Sequence, residues 1–260
     1  MTSNTHSKQH HFAHLPAHNP LHYFPTNADS LLDIGCNVGY ALDFARNLGI
    51  KNLYGIEINE MAVEKARRRL QETYGIEIHQ GSADELPLKD NQVEVALCSE
   101  VLEHVPAELR PKVIQETYRV LSNDGLFLIT VPSRGLFHFL DPANFRFFFP
   151  NAFSIASRLV GGAGREKGFE NQKHGVIWHH HFTLKELETL LSPYFKIIHI
   201  RYRGCLLSPI CNWLEWPFYR MNAIQNIVYK IIYQVHYYEM SCNFGEKLGY
   251  NMLLVAKKNN

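Results

Sequence analysis

The stretch Leu31-Leu-Asp-Ile-Gly-Cys-Asn-Val-Gly39 decides the fold, because a short apolar run passes directly into a turn that contains two glycines. A helix-like segment at 40–48 follows, so the pattern is that of a strand, a tight turn and a helix. Glycine lets the backbone turn tightly and approach a ligand without interference from a Cβ atom. The stretch therefore predicts the first unit of a parallel sheet, with a ligand site at the carboxyl end of its strand.

Strands and helices alternate along the chain on both sides of this turn. Apolar runs predict strands at 30–35, 52–57, 76–79, 93–98, 126–131, 195–200 and 250–256, and periodic segments predict helices at 40–48, 60–73, 108–121 and 184–191. Such alternation is typical of βαβ units, whose crossovers place helices on both faces of a parallel sheet. The predicted fold class is α/β: a doubly wound, Rossmann-like, mostly parallel sheet of seven strands with helices on both faces.

The chain divides into a polar N-terminal segment and one domain. Residues 1–28 hold six of the 15 histidines without periodicity, which predicts a frayed tail or a short cap, with a transition-metal site as the alternative. Residues 29–260 are predicted to form a single domain. Its alternation stops at 133–181 and at 205–243, and insertions this long are usually lids or substrate elements.

The composition limits the classes of function. Lys plus Arg (26) nearly cancels Asp plus Glu (25), and this balance argues against an extended nucleic-acid groove. Five cysteines without a CxxC pair, together with no apolar leader, favour a reducing compartment. The sequence contains no run of about 18 apolar residues, which is the length needed to span a membrane as a helix. We therefore expect a cytoplasmic enzyme or binding protein without a nucleic-acid partner.

The turn favours a nucleoside ligand that carries a positive charge. Glu57 ends the second strand, 22 positions after Gly35, where an acidic residue would bind ribose hydroxyls. Asn37 occupies the position of the middle glycine in the pyrophosphate-binding fingerprint. Asp33 would repel a phosphate at this place. A cationic or zwitterionic ligand is therefore favoured over a dinucleotide.

Five segments together resemble, in their order and spacing, the class I S-adenosylmethionine-dependent methyltransferases. They are 33–39, Glu57, 81–84, 100–104 and 119–125, which read DIGCNVG, E, GSAD, EVLEH and RVLSNDG. The similarity is greatest to the small-molecule branch that includes the type 11 and the ubiquinone and menaquinone biosynthesis methyltransferases. It covers residues 29–133. The resemblance implies S-adenosylmethionine as the cofactor.

The resemblance also implies which side chains and turns hold that cofactor. Its amino-acid part would lie at the first turn, its ribose on Glu57, its adenine between Ile58 and Asp84, and its methyl group beside Ser99. The full set of implied cofactor-binding residues is Asp33, Gly35, Cys36, Asn37, Gly39, Glu57, Ile58, Ala83, Asp84, Ser99 and Glu100. Asn37 departs from the family, whose members often have a glycine there.

Two histidine-containing segments are further candidates for chemistry. His104 lies four residues after Glu100, so on a helix both would share one face, with His104 as a base or a substrate-positioning group. A structural cap is the alternative for His104, and Glu103 is expected to be solvated or structural. At 179–181 three adjacent histidines could line the active-site rim. Three neighbours cannot all face one ion, and no carboxylate stands beside them in the sequence, so no metal is predicted.

Both insertions are rich in apolar side chains. The first insertion, 133–181, contains six phenylalanines within a stretch of 13 residues. The second insertion, 205–243, carries an amphipathic stripe at helical spacing: Ile224, Ile227, Val228, Ile231, Ile232, Val235 and Tyr238. The stripe predicts a helix that packs on the domain or on a second copy. The alternative is a lipid-facing surface, with peripheral membrane contact through 210–238.

These observations predict an enzyme that transfers a methyl group from S-adenosylmethionine to a small, apolar or lipid-linked acceptor. Two other classes of function stay open. The chain could be a non-catalytic, methyltransferase-like partner protein, which the intact acidic set of Asp33, Glu57 and Asp84 disfavours. It could also be a Rossmann-type NAD oxidoreductase, against which Asp33 and Asn37 both count.

Overall fold

A seven-stranded sheet forms the centre of the protein. The computed structural model describes residues 15–142, 144, 151, 155, 179–220 and 226–259. The strands, in chain order, are β1 Ser30–Ile34, β2 Asn52–Glu57, β3 Glu77–Gln80, β4 Val93–Ser99, β5 Leu121–Pro132, β6 Phe195–Arg203 and β7 Asn251–Lys258. Their spatial order is β3-β2-β1-β4-β5-β7-β6. Strands β1 to β5 pair in parallel, and β7 runs antiparallel between β5 and β6.

Helices connect these strands, most of them at the predicted places. They are α1 Tyr40–Asn47, α2 Glu60–Ala66, α3 Arg110–Val120, α4 Leu184–Leu191, α5 Leu207–Arg220 and α6 Ile227–Ser241. Helix α2 continues through a π-helical turn, Arg67–Gln71, and ends before Gly75, whose φ of 72° fits the left-handed position that closes many helices. The predicted α/β class, with a mostly parallel Rossmann-like sheet, is confirmed.

The parallel register brings the ends of several strands to one edge of the sheet. Asp33 of β1 lies opposite Gly55 of β2 and Leu97 of β4. At the end of β4, Ser99 lies opposite Thr130 of β5. The residues that follow β1, β2 and β4 therefore share the carboxyl edge of the sheet, where doubly wound folds bind their ligands.

Apolar layers cover both faces of the sheet. Side chains alternate along β1, so Leu32 packs into one layer with Ile129, and Leu31 packs into the other with Leu128. Both layers are fully buried, as is expected for a parallel sheet with helices on both sides. The strand ends are therefore held by a rigid core.

The end of the N-terminal segment is a cap on the domain. Leu15, Leu21 and Phe24 are buried in one apolar layer, and the side chain of Asn19 accepts a hydrogen bond from the backbone of Leu21. This supports the predicted short cap, and overturns the frayed tail, for residues 15–28. The histidines before Leu15 lie outside the described residues.

The second insertion is a pair of packed helices, α5 and α6. The buried carboxylate of Glu239 near the end of α6 accepts hydrogen bonds from the backbone of Leu207 and from the side chain of Ser208, and it thereby caps the start of α5. The predicted stripe on α6 is exposed, with 68% of Ile227 and 58% of Ile231 accessible. The prediction that this stripe packs on the domain is therefore wrong for Ile227 and Ile231.

Some predicted features lie outside the described residues. They are four of the six phenylalanines (Phe145, Phe147, Phe148 and Phe149), the glycine-rich run at 161–164, and Ile224. Within the part of the chain that the structure describes, the helices are all too short or too polar to cross a bilayer.

We expect Gly55→Ala to destabilise the fold by about 1–3 kcal/mol, because the core at β2 has no room for a methyl group. A Cβ atom there would stand 2.8 Å from Cys36 Sγ, from Leu42 Cδ1 and from Ile78 Cδ1 at the same time. Gly81→Ala is the matched control, since its nearest neighbour would be 3.8 Å away. Urea denaturation measures both variants. Equal stability of the two would contradict the packing described for β2.

Candidate active site

The turn after β1 is held in a conformation that favours small residues. Gly35, Asn37 and Gly39 have φ angles of 75°, 48° and 81°. A Cβ atom on Gly39 would overlap the side chain of Leu70, so the glycine is required by the turn and by packing against the helical segment that follows α2. The turn is thus shaped by its neighbours before any ligand binds.

Two backbone donors fasten this turn to β2. The N–H groups of Gly35 and Cys36 both donate to the carbonyl oxygen of Ile56, at 2.8 and 3.0 Å. Glu57 completes the connection, because its two carboxylate oxygens accept from the backbone N–H groups of Asn37 (2.9 Å) and Asn59 (2.8 Å). Its carboxylate therefore lies beside the turn, as the ribose assignment requires.

A cleft of about 200 Å³ opens at this place. Its walls come from the turn, from the start of α1 and from the end of β4, and its lining residues are Asp33, Gly35, Cys36, Asn37, Val38, Tyr40, Ala41 and Ser99. The structure thus brings together most residues assigned to the amino-acid and methyl ends of the cofactor.

Asp33 is buried beneath the cleft. Burial, followed by the negative charge of Glu57, raises the pKa of the Asp33 carboxyl to about 7. Burial also raises the pKa of the Cys36 thiol, and the negative charges of Asp33 and Glu57 raise it further. The thiol therefore stays protonated and is not a nucleophile. A cation placed in the cleft would favour the ionised form of Asp33.

The residues assigned to adenine follow β2 and β3. Ile58 exposes 42% of its surface at the end of β2, and the backbone of Gly81 donates to the carbonyl oxygen of Glu57 at 3.0 Å. The Ser82 hydroxyl donates to the Asp84 carboxylate, and the Lys112 ammonium lies 3.8 Å from the same group. An apolar surface and an acceptor therefore border the side of Glu57 that faces β3, and Ala83 packs partly buried beneath them.

Glu100 belongs to a polar network that spans the end of the sheet. The Ser99 hydroxyl is 2.8 Å from the Thr130 hydroxyl, which donates to Glu100 Oε1 at 2.7 Å. Asn251 Nδ2 donates to the same oxygen at 2.8 Å, and the buried Arg203 guanidinium lies 3.7 Å from it. Sequence reasoning missed Thr130, Asn251 and Arg203, because they come from β5, β7 and β6 and follow no local pattern.

The predicted common helix face of Glu100 and His104 is wrong. Glu100 has a φ of 55°, which ends β4 in a left-handed turn, and the short 3₁₀ helix begins only at Leu102. His104 ends that helix with 57% of its side chain exposed. Its imidazole is therefore largely exposed and shares no helix face with Glu100.

Glu103 is fully buried, which excludes the solvated alternative and leaves the structural one. Among the described residues neither carboxylate oxygen of Glu103 has a hydrogen-bond partner. Its Oε1 atom lies 3.6 Å from His179 Nε2 and 3.9 Å from His104 Nε2. Burial raises the pKa of Glu103 to about 7, although His179 acts in the opposite direction.

The three adjacent histidines do have a carboxylate beside them, contrary to the sequence-based argument. Asp141 Oδ2 lies 2.5 Å from His179 Nδ1 and 3.1 Å from His181 Nε2. Burial lowers the pKa of His179, but its contacts with Asp141 and Glu103 outweigh this effect and raise it to about 10. His180 faces elsewhere, with Nε2 3.5 Å from the carboxylate of Glu186.

Part of the chain is similar in sequence to known proteins. A family model described as a methyltransferase domain matches residues 32–129. A probable S-adenosylmethionine-dependent methyltransferase of Mycolicibacterium smegmatis is 31% identical over 104 residues, which are 40% of this chain and 38% of that protein. The chain thus matches well under half the length of this curated relative.

Solved structures share the fold over most of the chain. An S-adenosylmethionine-dependent methyltransferase from Mesorhizobium loti has a TM-score of 0.53 at 15% identity, covering 88% of this chain and 90% of its own. Geranyl diphosphate C-methyltransferase from Streptomyces coelicolor has a TM-score of 0.54 at 13% identity, and the match covers 89% of this chain and 71% of that protein. The second was solved with S-adenosyl-L-homocysteine. Residues 32–129 thus match a methyltransferase domain in sequence, and solved S-adenosylmethionine-dependent methyltransferases share the fold of the chain.

Proposed function

We propose that the chain transfers a methyl group from S-adenosylmethionine to a small, apolar or lipid-linked acceptor. The observation that carries the proposal is the cleft at the carboxyl edge of the sheet, with Asp33 beneath it and Glu57 beside it. Asp33 would balance the positive charge of the methionine part, and Glu57 would accept hydrogen bonds from the ribose hydroxyls. Ser99 and Glu100 would border the methyl group.

Methyl transfer from a sulfonium makes modest demands on the protein. The acceptor's lone pair attacks the methyl carbon while the carbon–sulfur bond breaks, so the main requirement is to hold the two reactants in line. The rigid strand ends of the site meet this requirement. A base is needed only for an acceptor that must lose a proton, and the exposed His104 is the proposed group.

The apolar character of the acceptor is inferred from the surface around the site. Trp213 of α5 donates its indole N–H to the carbonyl oxygen of Leu140 at 2.9 Å, which joins the second insertion to the start of the first. Nearby, Leu136 and Phe139 are exposed in that first insertion. The geranyl diphosphate enzyme shows that this fold can hold an isoprenoid acceptor.

A non-catalytic, methyltransferase-like partner protein remains the alternative function. It would retain the fold without needing an intact cofactor site. The fastening of the turn by Glu57 and the buried acidic group of Asp33 favour the enzyme, because a buried carboxyl of raised pKa destabilises a fold that does not use it. Binding and turnover measurements separate the two functions.

We expect Glu57→Gln to weaken binding of S-adenosyl-L-homocysteine more than tenfold. The variant removes the charge from two hydrogen bonds to ribose, each worth about 1.5–3 kcal/mol. Titration calorimetry measures the affinity, with Glu60→Gln, an exposed residue at the start of α2, as the control. Unchanged affinity in a folded Glu57→Gln protein would show that the ribose assignment is wrong.

We expect Asp33→Asn to stabilise the ligand-free protein at pH 8 and to weaken cofactor binding. The folded-state pKa of Asp33, about 7, lies above its ordinary value. Between about pH 4 and 7, Asp33 is therefore ionised in the unfolded chain but still protonated in the folded protein. The stability contributed by Asp33 therefore falls as the pH rises through that window. Asparagine avoids the loss, which at about 1.4 kcal/mol per pKa unit amounts to about 1–4 kcal/mol.

Urea denaturation at pH 5 and pH 8 measures the effect of Asp33→Asn. The gain in unfolding free energy should be larger at pH 8. Asp124→Asn is the control, since this exposed aspartate forms a surface pair with Lys257 and should respond equally at both pH values. A gain for Asp33→Asn that is independent of pH would contradict the raised pKa.

We expect the exposed face of α6 to bind lipid, so the Ile227→Ser, Ile231→Ser and Val235→Ser triple variant should lose association with phosphatidylcholine vesicles. The three side chains lie at i, i+4 and i+8 and are 68%, 58% and 42% exposed. Sedimentation with vesicles measures the bound fraction. Ile198→Ser, an exposed residue in β6, should bind like the wild type. If the wild type does not sediment with vesicles, membrane contact through 210–238 is wrong.

A further inference from the structure

A second cluster of polar side chains lies just beyond the cofactor cleft. Glu103, His104 and His179 each offer one ligand atom, and these three atoms lie within 4.8 Å of one another. Glu103 and His104 come from the short 3₁₀ helix after β4, while His179 precedes α4 by only a few residues. Nothing in the methyl-transfer chemistry described above uses Glu103 or His179.

The buried carboxylate of Glu103 points to a ligand. The side chain is 0% exposed, and neither of its oxygens has a hydrogen-bond partner among the described residues. A buried carboxylate without hydrogen bonds is unfavourable, so native proteins hydrogen-bond such groups or coordinate a metal with them. The side chains nearest to Glu103 Oε1 are two imidazoles, which are also common metal ligands.

We propose that Glu103 Oε1, His104 Nε2 and His179 Nε2 bind a divalent transition-metal ion. Bonds of about 2.0–2.1 Å from one tetrahedral ion place its ligand atoms about 3.4 Å apart. Here Glu103 Oε1 is 3.6 Å from His179 Nε2 and 3.9 Å from His104 Nε2. Small side-chain rotations would therefore complete the coordination.

Asp141 supplies the support that metal-binding histidines usually have. A ligating imidazole commonly donates its other ring N–H to a carboxylate, which fixes the ring and its tautomer. His179 does so here, since Nδ1 lies 2.5 Å from Asp141 Oδ2 and Nε2 is directed towards Glu103. A separation of 2.5 Å is a hydrogen bond and is too short for two ligands of one ion, so Asp141 acts as the support rather than as a ligand.

The ligand set and its exposure indicate which ion binds and what it can do. Two imidazoles and one carboxylate suit zinc, cobalt, iron or manganese better than magnesium or calcium, which prefer oxygen. His104 is 57% exposed, so the ion would face solvent on one side. Three protein ligands with an open position are typical of catalytic rather than structural metal sites.

We place the open position of the ion near the acceptor, and this step rests on the proposed function. Glu103 follows Glu100, which borders the methyl end of the cleft, by three residues. An acceptor hydroxyl bound to the ion would have its pKa lowered and would release its proton to water. The oxygen lone pair then attacks the methyl carbon as the carbon–sulfur bond breaks. In this reaction His104, proposed above as the base, would instead be a ligand of the ion.

Cobalt titration of the full chain, stripped with a chelator, tests the ion site directly. We expect visible absorption bands of Co²⁺ that saturate at one ion per chain. Glu103→Gln and His104→Ala should each weaken Co²⁺ binding at least tenfold. The matched controls are Glu108→Gln, an exposed glutamate of the same segment, and His180→Gln, which faces away from the cluster. Both should bind like the wild type.

Two results would overturn the proposal: no Co²⁺ bands in the wild type, or bands that persist unchanged in both Glu103→Gln and His104→Ala. The second result would assign the binding to other groups, such as the histidines at 6–14. His104→Ala keeps the test decisive if Glu103→Gln fails to fold, because His104 is exposed. Calorimetry with S-adenosyl-L-homocysteine on the same samples reports the cofactor site separately, so failure of either site is recognised independently of the other.

Discussion

The site depends on the fastening of one turn to the neighbouring strand. Two N–H groups, from Gly35 and Cys36, converge on the carbonyl oxygen of Ile56, and the next carboxylate along β2 accepts from the backbone of Asn37. Because β1 and β2 are parallel and buried on both faces, neither strand can slide without exposing apolar side chains. The fold thus fixes Glu57 beside the turn, and the cleft at the carboxyl edge follows from that placement.

The features that sequence predicted well are local ones. The strand, turn and helix around 31–39 occupy one short stretch, and Glu57 lies at the end of the next strand, so spacing alone placed both. The network of Glu100 could not be found in this way, because its partners Asn251 and Arg203 are more than 100 residues away. Only the pairing of β7 with β5 and β6 brings them to the same edge.

The histidine segment shows why adjacency in sequence misleads. Side chains of an extended segment alternate, so His179 and His181 face Asp141 while His180 and Phe182 pack against each other on the other side. The argument that three neighbours cannot share one ion is sound. It overlooked a carboxylate from 38 positions earlier and another from the turn after β4, which tertiary structure alone brings together.

Two buried acids at one edge of the sheet have a common physical meaning. Asp33 and Glu103 are both buried, at the ends of neighbouring strands, and burial of a carboxyl group opposes its ionisation. A fold under selection for stability alone would replace such groups by apolar ones. Their retention is understandable if each balances a positive charge: Asp33 that of the cofactor, and Glu103 that of an ion and its imidazole ligands.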